Sequence, residues 1–512
     1  MNIENICIIG AGISGLVAAK TFLEEGYKVT VFEKQKGLGG VWESSRTYVG
    51  LTTQSPRDKY AFTDYPMPAS YPEWPTAKQM RDYLQSYAQH FGVLPKIRFN
   101  TEVTKVERDS NGESWIVSVG LNKSNRRIIE QEKYDFVIVC NGIFNIPNIP
   151  NLPGQKQFID GGGKLLHSTQ IKDISLIQDK RIVVVGFGKS AIDIAILGAT
   201  SASKCILLVR KIKWMIPRFF LGIINNKYVL MSPLAESLFP YRKLHGMEKL
   251  LHTFGKPFLS LFWKIIEIIL SLQSRLNYCD MLPTKPLNES VNCTSLVAPQ
   301  NFYKYVRSNK IKVVKSEISS FYSSGVELTD GERLQADVVV FGTGYHQEMK
   351  FLEDKYRRLL IDDLGNFHLY RNLIHPDIPQ MGFVGYNSSW FCQLTSEIGS
   401  WWLVDYVKKQ LILPSRLEMI KQIDKNFYWR QSQSFLDKDN GTCVAPFHFH
   451  YLEELMQDMG DSIHGQRWYE ILNIFMPINP RIYNNRRQKL KTKHYLSSNK
   501  YEDKKTIKAG IN

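Results

Sequence analysis

Two glycine-rich loops lie 176 residues apart, each directly behind a short apolar run, and this pairing constrains the fold more than anything else in the chain. The first is Gly10-Ala11-Gly12-Ile13-Ser14-Gly15, behind Ile6-Cys7-Ile8-Ile9. The second is Gly186-Phe187-Gly188-Lys189-Ser190-Ala191, behind Ile182-Val183-Val184-Val185. Such runs read as strands buried on both faces of a parallel sheet. In a strand–loop–helix unit the first glycine makes the tight turn and the second lets the backbone approach a pyrophosphate. The third lets the helix pack on its strand. The phosphates then meet the free N–H groups of the helix N-terminus. Two such units predict two dinucleotides in one protein, and the usual reason is electron transfer from a nicotinamide to a flavin.

The context of each loop sharpens this. After Gly15, Leu16, Ala19, Phe22 and Leu23 recur at helical spacing. Val29-Thr30-Val31-Phe32 then form a second strand ending in Glu33, 23 residues after Gly10. A carboxylate there accepts ribose hydroxyls and repels a 2′-phosphate, which predicts FAD or NAD at the first loop. At the second loop Ala191 replaces the third glycine, a tolerated variant. Its second strand, Cys205-Ile206-Leu207-Leu208-Val209, ends in Arg210-Lys211. A planar guanidinium suits a 2′-phosphate, so this unit is predicted to take NADPH. The alternative is that Arg210 is a solvated surface charge.

At this point the chain resembles the flavin-containing monooxygenase family, class B flavin-dependent monooxygenases, most closely its plant-like branch. Gly39-Gly40-Val41-Trp42 resembles the family's second FAD-contacting turn. Gly163-Lys164-Leu165-Leu166-His167-Ser168 resembles the GxxxHS core of its fingerprint. Trp214 with Pro217-Arg218, Phe341-Gly342-Thr343-Gly344-Tyr345 (FATGY in the family) and Phe383-Val384-Gly385-Tyr386 extend the match from about residue 3 to about residue 410. Three places depart from the pattern. Gly161 and Ile171 stand where the fingerprint has Phe and an aromatic, with Phe158 close by. FATGY has become FGTGY. Gln54 replaces the Asn beside the flavin.

The resemblance implies an α/β fold with two Rossmann-like dinucleotide-binding domains, the NADPH domain inserted in the FAD domain. It implies that NADPH reduces FAD, that O2 adds to the flavin C4a, and that an amine nitrogen or sulfide sulfur takes oxygen from the hydroperoxide. FAD contacts are expected at residues 10–15, Glu33, Gly40, Val41, Trp42, Thr53 and Gln54, with Gln54 also the catalytic candidate. NADPH contacts are expected at residues 186–191, Arg210 and Lys211. His167 is expected to organise the linker rather than move protons. Two alternatives within flavin chemistry stand: a Baeyer–Villiger monooxygenase, whose fingerprint wants Trp where Ile171 stands, and a peroxide-releasing NADPH oxidase. A flavin-binding module without catalysis is a third, opposed by the intact second loop.

The domain reading is residues 1–160 and 331–475 for the FAD domain and 175–330 for the NADPH domain, with a helical insertion over about 218–300. A basic tail covers 481–512. In the insertion, the apolar run 258–270 is short of the ~20 residues of a spanning helix and carries Lys264 and Glu267, expected to pair on one helix face. It reads as a cover over the NADPH domain and the active-site mouth, or as a membrane-surface patch. Thr76 is expected to cap an amphipathic helix presenting Met80, Tyr83, Leu84, Tyr87, Ala88 and Phe91.

The net charge is +16, half of it in the tail. That predicts a solvated end, with contact to anionic lipid as the alternative. No aromatic-basic platform points to nucleic acid. The seven cysteines, Cys7, Cys140, Cys205, Cys279, Cys293, Cys392 and Cys443, form no CxxC or CxxxxC. This argues for a reducing compartment, with cytoplasmic location expected, and against a flavin disulfide reductase. His448 and His450 read as two imidazoles on one strand face, a weak metal motif without nearby acids, so no metal is expected.

Overall fold

The computed structural model describes residues 3–123, 126–290, 296–363, 365–433, 446–462 and 475–492. Both predicted units are present, each as a five-stranded parallel sheet. The first runs Met381–Phe383, Phe136–Val139, Asn5–Ile9, Lys28–Phe32, Ile97–Arg98. The second runs Lys312–Lys315, Lys204–Val209, Arg181–Val185, Val338–Phe341, Lys164–His167. In each sheet the loop-bearing strand is central, and its residues are apolar because helices or a meander cover both faces.

The second sheet reaches further along the chain than 175–330. It takes Lys164–His167 before that range and Val338–Phe341 after it. The likeness between the two Asp-led strands explains why. Asp135 Oδ2 accepts from Asn5 N–H at 2.8 Å, and Asp337 Oδ2 accepts from Arg181 N–H at 2.8 Å. Each aspartate fixes the strand after it beside its own loop strand, so Val338–Phe341 completes the second sheet, and the chain returns to the first only beyond Gly344. The two crossings, Ile146–Pro147 and Tyr345–His346, pair antiparallel as a short ribbon.

Thr76 caps the helix Ala77–His90 in a capping box with Gln79, and Met80, Tyr83, Leu84, Tyr87 and Ala88 of its predicted apolar face are buried, while Phe91 is the half-buried C-cap. The insertion helix spans Lys256–Ser274, 19 residues, longer than the apolar run suggested. By length and composition alone it could cross a membrane, so shortness does not argue against a span. It buries only Leu259 and Leu270 and leaves Phe258, Leu261, Ile265, Ile268 and Leu272 exposed. The expected Lys264–Glu267 pair is replaced by a bond from Leu287 N–H to Glu267 Oε1 at 2.6 Å, which closes the next turn onto the helix.

The basic tail is not solvated throughout. Residues 480–492 form a helix packed on the first domain, with Tyr483 and Leu490 in its core. Arg487 donates to both carboxylate oxygens of buried Asp405 at 2.9 and 3.0 Å. Residues 493–512 lie outside the described residues, as do Cys293 and Cys443. The other five cysteines are free thiols.

Candidate cofactor and active site

The two loops fold alike for the same steric reason. Gly10 has φ +104°, and a Cβ there would lie 2.7 Å from the Cys140 carbonyl oxygen. Gly186 has φ +119°, and its Cβ would lie 2.6 Å from the Gly342 carbonyl oxygen. At the third position the units diverge. A Cβ on Gly15 would lie 1.8 Å from Gly10 O, whereas Ala191 carries its methyl group. Gly342 faces residue 191: a Cβ on Gly342 would lie 2.5 Å from Ala191 Cβ, 2.7 Å from its Cα and 2.8 Å from its N. The glycine of FGTGY is therefore required by the close approach of the backbone at 191 as well as by its methyl group.

A cavity of about 740 Å³ lies along the first loop. Gly10, Gly12, Ile13, Ser14, Glu33, Gly40, Val41, Trp42 and Gln54 line it, together with Lys189 from the second loop. The structure thus gathers most of the first set of expected residues and brings the second unit to the same space. Ala11 and Gly15 lie behind the wall. Ala11 N–H donates to Glu33 Oε2 at 2.8 Å and Gln35 N–H to Oε1 at 2.8 Å, which orients the carboxylate. Burial raises the Glu33 pKa against these two bonds. Thr53 is buried outside the cavity, and its neighbour Thr52 lines it instead.

Gln54 Oε1 accepts from Val297 N–H at 3.2 Å. Since a backbone N–H must meet the amide oxygen, the Gln54 NH2 is the end left to donate. Lys189 pairs with Asp193, which also accepts from Tyr48 O–H at 2.8 Å. Tyr48 belongs to the first domain but packs in the core of the second, so this cluster docks the units. Phe187 and Ala191 are buried in that core, while Arg210 and Lys211 are exposed at the end of Lys204–Val209. Gly186, Gly188 and Ser190 lie with the second loop and not in the cavity wall.

His167 is 1% exposed. Thr169 N–H donates to its Nδ1 at 3.3 Å, so the ring proton sits on Nε2, which donates to Gly344 O at 3.2 Å. Burial lowers its pKa, which keeps the ring neutral. The side chain ties the second sheet to the returning crossing, as a linker residue should. Phe158 is buried against Gly163, where a Cβ would lie 2.4–2.5 Å from its ring.

Several cavity residues carry no sequence motif. Tyr60, Trp390, Cys392 and Ser396 line it, the last two from the N-terminal turns of the buried helix Cys392–Val407. Ser396 Oγ lies 3.0 Å from Ser14 Oγ. Gly385, with φ +86°, lets that contact form, since its Cβ would lie 2.2 Å from Ser14 Oγ. The FVGY stretch was the available signal for this wall.

His448 and His450 lie on the helix His448–Asp458, not on a strand. The fold supplies the acids the local sequence lacks. His450 Nδ1 lies 2.5 Å from Glu236 and Nε2 3.1 Å from Glu248. These carboxylates push its pKa to about 10 despite burial, so the ring is a cation that clamps the insertion to the first domain. No group of three or more His, Cys, Asp or Glu side chains placed to hold a metal ion occurs among the described residues.

Comparison with known proteins agrees with this architecture. Residues 3–464 match the model of the flavin-binding monooxygenase-like family. The chain is 30% identical over 493 residues to probable flavin-containing monooxygenase 1 of Arabidopsis thaliana, covering 89% of this chain and 92% of that protein. It is 29% identical over 442 residues to flavin-containing monooxygenase 1 of Rattus norvegicus, covering 83% and 77%. Among solved structures, S-allyl-L-cysteine S-oxygenase from Allium sativum superposes with TM-score 0.60 at 21% identity, covering 92% and 91%. An oxidized steroid monooxygenase bound to NADP superposes with TM-score 0.65 at 18% identity, covering 88% and 96%. Two parallel sheets, two glycine cradles and one shared cavity are what that match leads one to expect, and the chain belongs to the flavin-binding monooxygenase-like family.

Proposed function

We propose that this enzyme uses FAD, NADPH and O2 to oxygenate a soft nucleophile, an amine nitrogen or a sulfide sulfur. The observation that carries the reading is the single cavity lined by both the first loop and Lys189 of the second. Electron transfer between two dinucleotides needs them to share one space, and the reach of Lys189 into the first unit's cavity supports that arrangement. The first cradle fits FAD: Gly12 and Gly40 lie against each other, with Gly40 at φ +60° and a Cβ on it only 3.0 Å from Gly12 Cα. Glu33 stands ready for ribose hydroxyls. The second fits NADPH, with exposed Arg210 and Lys211 for the 2′-phosphate.

When bound, the flavin accepts hydride from NADPH and activates O2; the chain positions and protects. Gln54 presents its NH2 as a donor fixed by Val297. Trp42, Tyr60 and Trp390 wall the cavity with rings that exclude water, which limits loss of the activated oxygen as peroxide. One structural neighbour is an S-oxygenase by name, which supports sulfur as an acceptor.

The test is product stoichiometry. FAD-loaded enzyme with NADPH and O2 is offered a tertiary amine, a thioether and a cyclic ketone. One N-oxide or sulfoxide per NADPH is expected. An ester from the ketone would assign a Baeyer–Villiger enzyme, and peroxide in place of products an oxidase. The exposed apolar face of Lys256–Ser274 supports peripheral membrane contact as well, tested by co-flotation with anionic vesicles.

A further inference from the structure

Four cations line the cavity: Lys34, Arg46, Lys189 and Lys350. Three of them are accounted for. Lys189 pairs with Asp193, Lys350 pairs with Glu348, and Lys34 is exposed to water. Arg46 is half-buried, and among the described residues no carboxylate pairs with it.

The fold holds this guanidinium at the wall. The short turn Gly40–Trp42 runs into a second one, in which Arg46 N–H donates to the Glu43 carbonyl at 2.9 Å. From there Arg46 Nη2 donates to the Phe144 carbonyl, and the guanidinium lies 5.9 Å from the centre of the Tyr345 ring. A guanidinium carries its N–H donors in a fork, and the carbonyl takes only one side of it. Burial lowers the Arg46 pKa, while Tyr345, Glu33 and Glu43 act on the charge through space. Both carboxylates are engaged elsewhere. Glu33 accepts from Ala11 and Gln35 N–H, and Glu43 accepts from Ser44 Oγ at 2.8 Å and Ser45 N–H at 2.7 Å.

A partly desolvated cation without an anion is costly, and a phosphate oxygen meets a guanidinium with short, charge-assisted bonds. The same wall shows where such an oxygen belongs. Gly10, Gly12 and Ser14 of the first loop line the cavity with Gly40, and a loop of this kind offers backbone N–H groups to a diphosphate. Backbone groups bring no net charge. The helix Ile13–Glu24 behind the loop has no cation before Lys20, which is paired with Asp64. We propose that Arg46 is an anion-binding residue of the first cradle, giving its free N–H groups and its charge to the diphosphate of FAD. The inference rests on FAD in that cradle and not on which nucleophile is oxygenated.

The test is FAD affinity. Deflavinated full-length protein is titrated with FAD by quenching of flavin fluorescence, at low and at high salt. In Arg46→Met the affinity at low salt should fall about tenfold, as for one lost charge-assisted bond. Its dependence on salt should flatten, because the charge that salt screens is gone. Arg46→Lys keeps the charge and loses the fork, and should lie between. Unchanged FAD affinity in Arg46→Met would overturn the proposal. So would a loss of affinity with the salt dependence intact, which would make the residue a support for Phe144. A loss of NADP+ affinity with FAD affinity kept, read by calorimetry on the FAD-loaded protein, would overturn it by giving the guanidinium to the nicotinamide cofactor. Should Arg46→Met not fold, Arg46→Lys decides by the same readings, and a wild-type FAD affinity indifferent to salt would sink the proposal without any variant. Failure of the N- or S-oxygenation reading looks different: an ester or peroxide as product, with these titrations unaltered.

Discussion

The two dinucleotide units are the same device built with different side chains. In both, a positive-φ glycine presses against the carbonyl oxygen at the end of the neighbouring strand, 2.7 Å in one and 2.6 Å in the other for an added Cβ. In both, an aspartate fixes that neighbouring strand to the start of the loop strand. The difference lies one turn along. The first unit sets Gly15 against Cys140, whose Cβ would be 3.5 Å from an added Cβ. The second sets Ala191 against Gly342. Gly15 is held to glycine by the Gly10 carbonyl at 1.8 Å, with Cys140 at ordinary contact, whereas Gly342 is held to glycine by the methyl and backbone of residue 191 at 2.5–2.8 Å. The first unit needs its glycine on the helix and the second needs one on the neighbouring strand.

The sharpest way to break this comparison is Gly15→Ala. Sequence alone equates it with the alanine already tolerated at 191. The structure says otherwise, because the methyl would lie 1.8 Å from Gly10 O. Loss of FAD and of soluble folded protein is expected, read by flavin absorbance and thermal melting. Next is the insertion, which only the second unit possesses. His450→Gln leaves fully buried Glu236 without its cation and should cost about 3 kcal/mol. The histidine's pKa is raised from 6.5 to about 10, so its stabilisation is complete below about pH 6.5 and lost as pH rises through about 10. The melting-temperature gap between wild type and His450→Gln should therefore close towards pH 10, and a gap that widens would refute the clamp.

A smaller effect tests the glycine on the neighbouring strand. Gly342→Ala overpacks the second unit and should destabilise by about 1–3 kcal/mol. Ala191→Gly in the same chain should recover only the part due to the methyl contact, since the Cα and N of residue 191 would still lie 2.7 and 2.8 Å from the new Cβ. Additive losses in the double variant, followed by denaturant unfolding, would mean the two positions are not coupled. The least effect on the fold belongs to Arg210→Ala, which should raise KM for NADPH about tenfold through one lost charged contact and leave KM for NADH unchanged. Equal effects on both would return Arg210 to a plain surface charge.

The parts legible in the sequence were those written in contiguous residues. The two loop strands, Glu33 after Phe32 and the Thr76–Gln79 cap are local patterns, and each forms as read. What could not be read depends on chain brought from afar. Tyr60, Trp390 and Cys392 meet at the cavity from separate segments with no shared spacing. Glu236 and Glu248 reach His450 from the insertion, so the local sequence showed two histidines and no acid. The helix at 480–492 was hidden by its own composition. Its lysines and arginines suggest a solvated tail, yet Tyr483, Arg487 and Leu490 fall on one helical face, and Arg487 is the residue that pairs inside. The second sheet extends past the range read for it because two of its strands, Lys164–His167 and Val338–Phe341, lie on opposite sides of that range in sequence and pair with each other.

The paired crossings at Ile146–Pro147 and Tyr345–His346 also bear on how the chain is made. The first domain's sheet needs Met381–Phe383 along the exposed edge of Phe136–Val139, but the ribosome delivers an entire second sheet before that strand. Until then the apolar edge at Phe136–Val139 stands open on the nascent chain. The inserted unit, with both its ends at the ribbon, can close by itself in the meantime. Synthesis therefore completes the inner unit first and the outer one last, and a slow or misfolded insertion would leave an aggregation-prone edge waiting rather than merely a missing nicotinamide site.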